Sequence, residues 1–167
     1  MGEDIRLKSK AGEIGAYLAT PKGTPKGGVV VIQEIFGVNH HIKAAIEELK
    51  KRGAKKVAVT GYCWGGTIAW LAATRLKPDA VSAYYGGGIY GTKNEKPTVP
   101  TQMHFGDKDM HIPMTHVNEL RKLHPDVQVF DYPADHGFHC DERGSYDAAA
   151  SKQAMARTLE LFGKHVG

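Results

Sequence analysis

Cys63 stands in GYCWGG, residues 61–66, where serine stands in the G-x-S-x-G nucleophile elbow. Such an elbow joins a strand to a helix through so tight a turn that side chains at Gly61 and Gly65 would strike the neighbouring strand and helix. It pushes the sulfur clear of the sheet and aims the first turn of the next helix at it. A helix N-terminus favours a thiolate and offers backbone N–H groups to an oxyanion. The chemistry this permits is attack by sulfur on a carbonyl carbon. A lone cysteine more often ends as a small buried residue. Here both the spacing and the strand–turn–helix context favour the nucleophile.

Three further segments could complete such a centre. FGDKDMHIP (105–113) follows a strand and offers Asp109, with Asp107 as the alternative, as an acid that orients a base. Most aspartates in such loops only stabilise the turn. DYPADHGFHC (131–140) follows the last strand and offers His136 as the base, with His139 as its rival. Nucleophile, acid, histidine is one of the chain orders in which such centres are built. The other seven histidines are expected at the surface or in packing roles. QEIFG (33–37) ends an apolar strand, and strand ends are where open α/β sheets bind ligands. Glu34 there needs a partner if it is buried. It is either a carboxylate bonded to the thiol or histidine, or a helix-start acid facing solvent. No H-E-x-x-H or C-x-x-C spacing occurs, so neither a metal nor a cofactor is expected.

The elements that must position these residues follow from periodicity. Asp4–Ser9 and Glu13–Ala19 alternate around Ala11-Gly12 and predict a hairpin with one wet face. PKGTPKGG (21–28) is a connector into Val29–Ile32, an apolar run typical of a strand buried on both faces of a parallel sheet. Asn39 caps a helix with Ile42, Ala45, Ile46 and Leu49 on one face. Then come a strand at Val57–Val59, a helix at Thr67–Leu76, and strands at Ala80–Tyr85 and Gln102–Phe105. A helix carrying Val117, Leu120 and Leu123, a strand at Val127–Tyr132 and a helix at Ser145–Val166 complete the chain. Alternating strands and helices give an α/β class with a mostly parallel sheet, an N-terminal antiparallel hairpin and helices on both faces.

The 167 residues suit one domain, 1–167, and 41% hydrophobic with 24% charged residues is ordinary globular composition. The net charge of +4 is carried on dispersed lysines without interleaved aromatics, so no nucleic-acid partner is expected. No apolar run reaches the ~18 residues of a membrane span. MGEDIRLKSK has no apolar export core, and a cytoplasmic location is expected. Two cysteines make no disulfide framework.

Together, VVVIQEIFGVN, KVAVTGYCWGG, Tyr84-Tyr85 before GGG, HFGDKDMHIP and HGFHCDERGSYDAAASKQAMARTLELF resemble the dienelactone hydrolases (carboxymethylenebutenolidases) of the α/β-hydrolase fold. The resemblance implies a cysteine-dependent hydrolase of small esters or lactones. Cys63 would be the nucleophile, His136 the base and Asp109 its orienting acid. Glu34 would help deprotonate the thiol, the amides of Ile35 and Trp64 would form the oxyanion hole, and Phe36 and Tyr84 would line the pocket.

One departure is large. Where the family carries another strand, a long loop and another helix, Asn39 to Lys56 holds only one helix and a short turn. That pattern resembles a truncated α/β hydrolase, engineered or naturally miniaturised. Val29–Ile32 and Val57–Thr60 should then be adjacent parallel strands, and the hairpin must pair with Val29–Ile32 or leave an exposed sheet edge. A homodimer through that edge, or a swapped hairpin, is the expected assembly. The lost segment also carries part of the family's pocket wall, with a basic residue for the substrate carboxylate. A second basic residue is unmatched, because Cys140 stands in its place with Arg143 nearby. The alternative function is therefore an α/β scaffold that keeps the triad residues with little or no activity.

Overall fold

Short runs of Val, Ile and Ala between glycine-rich turns become the strands of a parallel sheet. The computed structural model describes residues 2–10, 12–32 and 52–167. Strand β1 (Gly2–Ser9) and strand β2 (Gly12–Ala19) form an antiparallel hairpin, in register from Gly2 against Ala19 to Ser9 against Gly12. Leu7 and Leu18 are its buried residues, as the alternation requires.

Strands β3 (Gly28–Ile32), β4 (Val57–Tyr62), β5 (Ala80–Tyr84), β6 (Thr101–Gly106) and β7 (Gln128–Tyr132) form a second sheet. They lie side by side in chain order and every pair is parallel. All five residues of β5 are buried, which fits a central strand covered on both faces. β3 pairs directly with β4, Val30 opposite Val59. The hairpin does not join this sheet, so β3 is its edge among the described residues. Val29 and Val31 on that strand are 45% and 64% exposed.

Helix α1 (Trp64–Arg75), helix α2 (Met114–Leu123) and helix α3 (Ala148–His165) cover the sheet. Ile68, Ala69 and Ala72 of α1 and Val117 and Leu120 of α2 pack in one core with Val59, Val81, Met103 and Phe105. Leu161 and Phe162 of α3 form a second cluster with Ala58 and Ala80. Residues two apart on a strand share a face, so the two clusters lie on opposite sides of the sheet.

Two helix starts and one added element differ from expectation. α1 begins at Trp64 rather than Thr67, because Gly66 and Thr67 donate their amides to the Cys63 carbonyl at 3.0 and 3.2 Å. Two glycines read locally as a loop, and the elbow overrides them. α3 begins at Ala148 rather than Ser145, because the Asp147 carboxylate caps it by accepting from the Ala150 amide at 2.8 Å. An unexpected 3-10 turn occupies Gly87–Thr92. The body of the helix expected after Asn39 lies outside the described residues. No helix among the described residues is long and apolar enough to cross a membrane.

Candidate active site

β4 and β5 both end beneath the first turn of α1, and Cys63 is the single residue between β4 and that helix. Its φ is 55° and its ψ −116°, a conformation that side-chain-bearing residues rarely hold. Three hydrogen bonds keep it there. Its amide donates to the Tyr84 carbonyl at 3.1 Å, and its own carbonyl accepts from Gly66 and Thr67. The turn also needs glycine on both sides. A Cβ at Gly61 would run into the Gly65 backbone, and one at Gly66 into the Tyr84 carbonyl. Helix geometry leaves the first amides of α1, starting at Trp64, without intrahelical partners beside the sulfur.

His136 comes from the loop between β7 and α3. Its Nε2 lies 3.1 Å from Cys63 Sγ and its Nδ1 2.7 Å from Asp109 Oδ2. The Asp109 side chain is wholly buried, while 15% of the His136 side chain is open to solvent. Burial pushes the Asp109 carboxyl up. The hydrogen bonds from His136 and from the His111 and Ile112 amides outweigh that and hold it below the usual aspartate value. Those amides reach Asp109 Oδ1 at 2.8 and 3.2 Å, so one oxygen builds the loop and the other faces the histidine. An ionised Asp109 requires the imidazole proton on Nδ1, which leaves the Nε2 lone pair facing the thiol.

The structure thus brings Cys63, His136 and Asp109 into one hydrogen-bonded line. Asp107, the alternative acid, is exposed. His139, the rival base, points elsewhere: its Nδ1 is 2.7 Å from Ser151 Oγ and its ring stacks on Tyr62. Trp64 is 46% exposed beside Cys63. Glu34, Ile35 and Phe36 lie outside the described residues.

Tyr84 is placed differently from a pocket-lining residue. Its side chain is fully buried, and its hydroxyl lies 2.7 Å from Thr158 Oγ1 under α3. It serves the elbow through its backbone carbonyl instead. The next residue, Tyr85, has a φ of 34° and sets its ring edge-on to His136 at 5.1 Å. His111 makes a second ring contact with His136, edge-on at 5.5 Å. The sequence assigns neither residue a place in the site: Tyr85 stands out only as the second member of the tyrosine pair before three glycines, and His111 only as the residue two after Asp109. Among the described residues, no group of three or more His, Cys, Asp or Glu side chains could hold a metal.

A family model described as the dienelactone hydrolase family matches residues 14–53 and 40–166. Carboxymethylenebutenolidase 1 of Cupriavidus pinatubonensis is 25% identical over 230 positions, which take in 97% of this chain and 97% of that one. A Yersinia pestis relative named for the same activity is 27% identical over 234 positions, covering 97% of this chain and 88% of its own length. Both alignments are longer than the 167 residues of this chain, so the relatives carry inserted sequence that it lacks. Among solved structures, a Klebsiella pneumoniae protein named as a dienelactone hydrolase superposes with a TM-score of 0.85. It is 23% identical, with 99% of both chains covered. An esterase of Pyrococcus furiosus superposes at 0.80 with 11% identity, over 100% of this chain and 92% of that one.

Proposed function

Because this chain belongs to the dienelactone hydrolase family, we propose that it hydrolyses a small ester or lactone with Cys63 as its nucleophile. The observation that carries this reading is the line from Cys63 Sγ through His136 to Asp109, at 3.1 and 2.7 Å, hung on a positive-φ cysteine. His136 Nε2 takes the thiol proton as sulfur attacks the ester carbonyl. The tetrahedral oxyanion is met by the Trp64 amide, with Ile35 as the second donor that the family resemblance implies. His136 then gives its proton to the departing alkoxide, and an acyl thioester remains on Cys63. Water, deprotonated by His136, attacks the thioester. The acid leaves and the proton returns to sulfur, so one ester and one water become one acid and one alcohol. Asp109 stays ionised throughout and holds the imidazole in the tautomer this sequence needs.

Glu34 enters this reading as a second group able to draw the proton from Cys63 when substrate is bound. Phe36 enters as an apolar wall of the acyl site. A substrate with a good leaving group suits a thiolate best, which favours aryl esters and enol lactones.

The test is hydrolysis of p-nitrophenyl acetate by the wild-type chain beside Cys63→Ala and His136→Ala. We expect wild-type turnover and losses on the order of 10⁴-fold or more in each variant. Equal rates in all three proteins would defeat the reading. A second reading, a miniaturised and inactive scaffold, draws on the shortness of this chain against its relatives, and equal rates are its expected result. The β3 edge, unpaired among the described residues and with Val29 and Val31 exposed, also supports pairing of two copies through that strand. Light scattering on a sizing column should then give twice the chain mass. A Val31→Lys variant should return the monomer.

A further inference from the structure

We infer that His139, three residues beyond the proposed base, is a positioning residue that fixes the distance between His136 and Cys63; this rests on the hydrolase reading above. His136 sits on a loop that turns sharply at the next residue, Gly137, whose φ of 78° favours glycine. What packs beyond that turn sets where the loop rests against the sheet.

Phe138 pins the loop inward. It is fully buried, with its ring 5.2 Å from Tyr132 and 5.3 Å from Tyr85. That packing, which also brings the ring to 6.4 Å from Tyr84, sets the depth of the loop. The His139 ring lies parallel to Tyr62, at 5.2 Å with 5° between the planes, and Tyr62 is the residue before Cys63. The same ring sits 5.1 Å from Tyr84, whose carbonyl holds the Cys63 amide. On its other side, Nδ1 is tied at 2.7 Å to Ser151 Oγ, a buried hydroxyl on the first turn of α3. Burial keeps the His139 imidazole below its ordinary pKa, consistent with a neutral ring. His139 therefore links three pieces: the strand that ends at the nucleophile, the loop that carries the base, and the helix behind both. A stack on one face and a hydrogen bond at the edge leave the ring little freedom to turn.

His139 is not a member of the hydrogen-bonded line of Cys63, His136 and Asp109, so its effect on turnover passes through the His136–Cys63 contact. Misplacement of a catalytic group by ~1 Å can cost about 10²-fold in rate. His139→Ala, His139→Phe, Ser151→Ala and Cys63→Ala would be compared with wild type in p-nitrophenyl acetate hydrolysis. In the same samples, the rate of Cys63 alkylation by iodoacetamide is read by peptide mass spectrometry, which separates it from Cys140. For His139→Ala we expect a tenfold to hundredfold fall in kcat, KM within twofold of wild type, and slower alkylation of Cys63. His139→Phe keeps a ring on Tyr62 and should recover most of both. Ser151→Ala should fall between them.

Unchanged kcat and alkylation in His139→Ala would overturn the inference. So would a fall in kcat matched by the loss of folded protein in circular dichroism, or a rise in KM alone. If wild type shows no turnover beyond Cys63→Ala, the hydrolase reading has failed. The alkylation rates then decide alone whether His139 sets the environment of the thiol.

Discussion

The molecule builds two hydrogen-bonded histidine lines from nearly the same parts, one at the rim of the sheet and one inside it. At the rim, His136 has a carboxylate on Nδ1 at 2.7 Å and a thiol on Nε2 at 3.1 Å. Inside, His104 has the Tyr132 hydroxyl on Nδ1 at 2.8 Å and the Ser82 hydroxyl on Nε2 at 3.1 Å. On distance alone, Ser82 and His104 would pass for a nucleophile and its base. Both are fully buried, and Ser82 Oγ is already shared with Thr158 at 2.7 Å. Burial, reinforced by the charge of Arg157 and by His139, pushes His104 down to about 3. Among the described residues no carboxylate hydrogen-bonds to its ring, whereas Asp109 accepts from His136. A histidine becomes a base through its charge environment and access, and the same bond lengths without them make a structural brace.

The largest expected break in this comparison is Asp109→Asn. The amide can present its NH₂ to Nδ1 and force the imidazole proton onto Nε2, against the thiol. We expect a loss on the order of 10³- to 10⁴-fold in kcat with KM little changed. A rate within tenfold of wild type would mean that Asp109 only builds its loop.

The second break concerns acid stability. An unfolded histidine takes its proton near pH 6.5, while folded His104 stays neutral until about 3. Between those values the unfolded chain binds the extra proton, so stability contributed by His104 is present above pH 6.5 and lost as pH falls toward 3. The slope is about 1.4 kcal/mol per pH unit for one proton. His104→Gln should flatten the urea-denaturation stability profile between pH 6 and 4, whatever it does to stability at pH 8. An equally steep profile in the variant would assign the acid loss to the carboxylates. Asp109, held low in the folded protein, acts in the same direction as it protonates.

The smallest break is Tyr132→Phe. It strips the partner from His104 Nδ1 and from the Arg157 guanidinium, which donates to the tyrosine hydroxyl at 3.0 Å. A cost of roughly 1–3 kcal/mol is expected in chemical denaturation, because a buried polar atom loses its bond. Hydrolysis per folded molecule should not change, since His104 belongs to the brace.

The rim line was legible in the sequence because each member sits directly after a strand, in a turn whose residue types are constrained. The elbow showed itself through the spacing of Cys63 between glycines, and Asp109 and His136 through their loops. Asp109 was the acid expected, with Asp107 as fallback, but the physical reason for that order is not in the local pattern. Two residues in one turn differ only in which points inward, and this depends on the His111 and Ile112 amides closing on Asp109. The inner line was invisible. His104 lies in the strand segment QMHF, and no local pattern says that Ser82, Tyr132 and Thr158 will converge on it from two other strands and a helix. Tyr84 shows the same limit. Only the family resemblance implied a pocket wall there, and the alternation along β5 turns its side chain toward α3. The parallel class followed from periodicity, and the adjacency of β3 and β4 from the segment missing against the family pattern; whether the hairpin would pair with β3 was left open by the sequence, and among the described residues it does not.

The central position of β5 has a consequence for how the protein fails. Its five residues are buried, and its last carbonyl carries the Cys63 amide. Amides on such a strand exchange with deuterium only through openings that dismantle the domain, whereas β3 at the rim exchanges through smaller ones. The cysteine turn is fastened to a fully buried central strand, which we expect to exchange slowly. On heating, catalytic inactivation should therefore coincide with loss of the whole fold, after the edge strand has already begun to exchange.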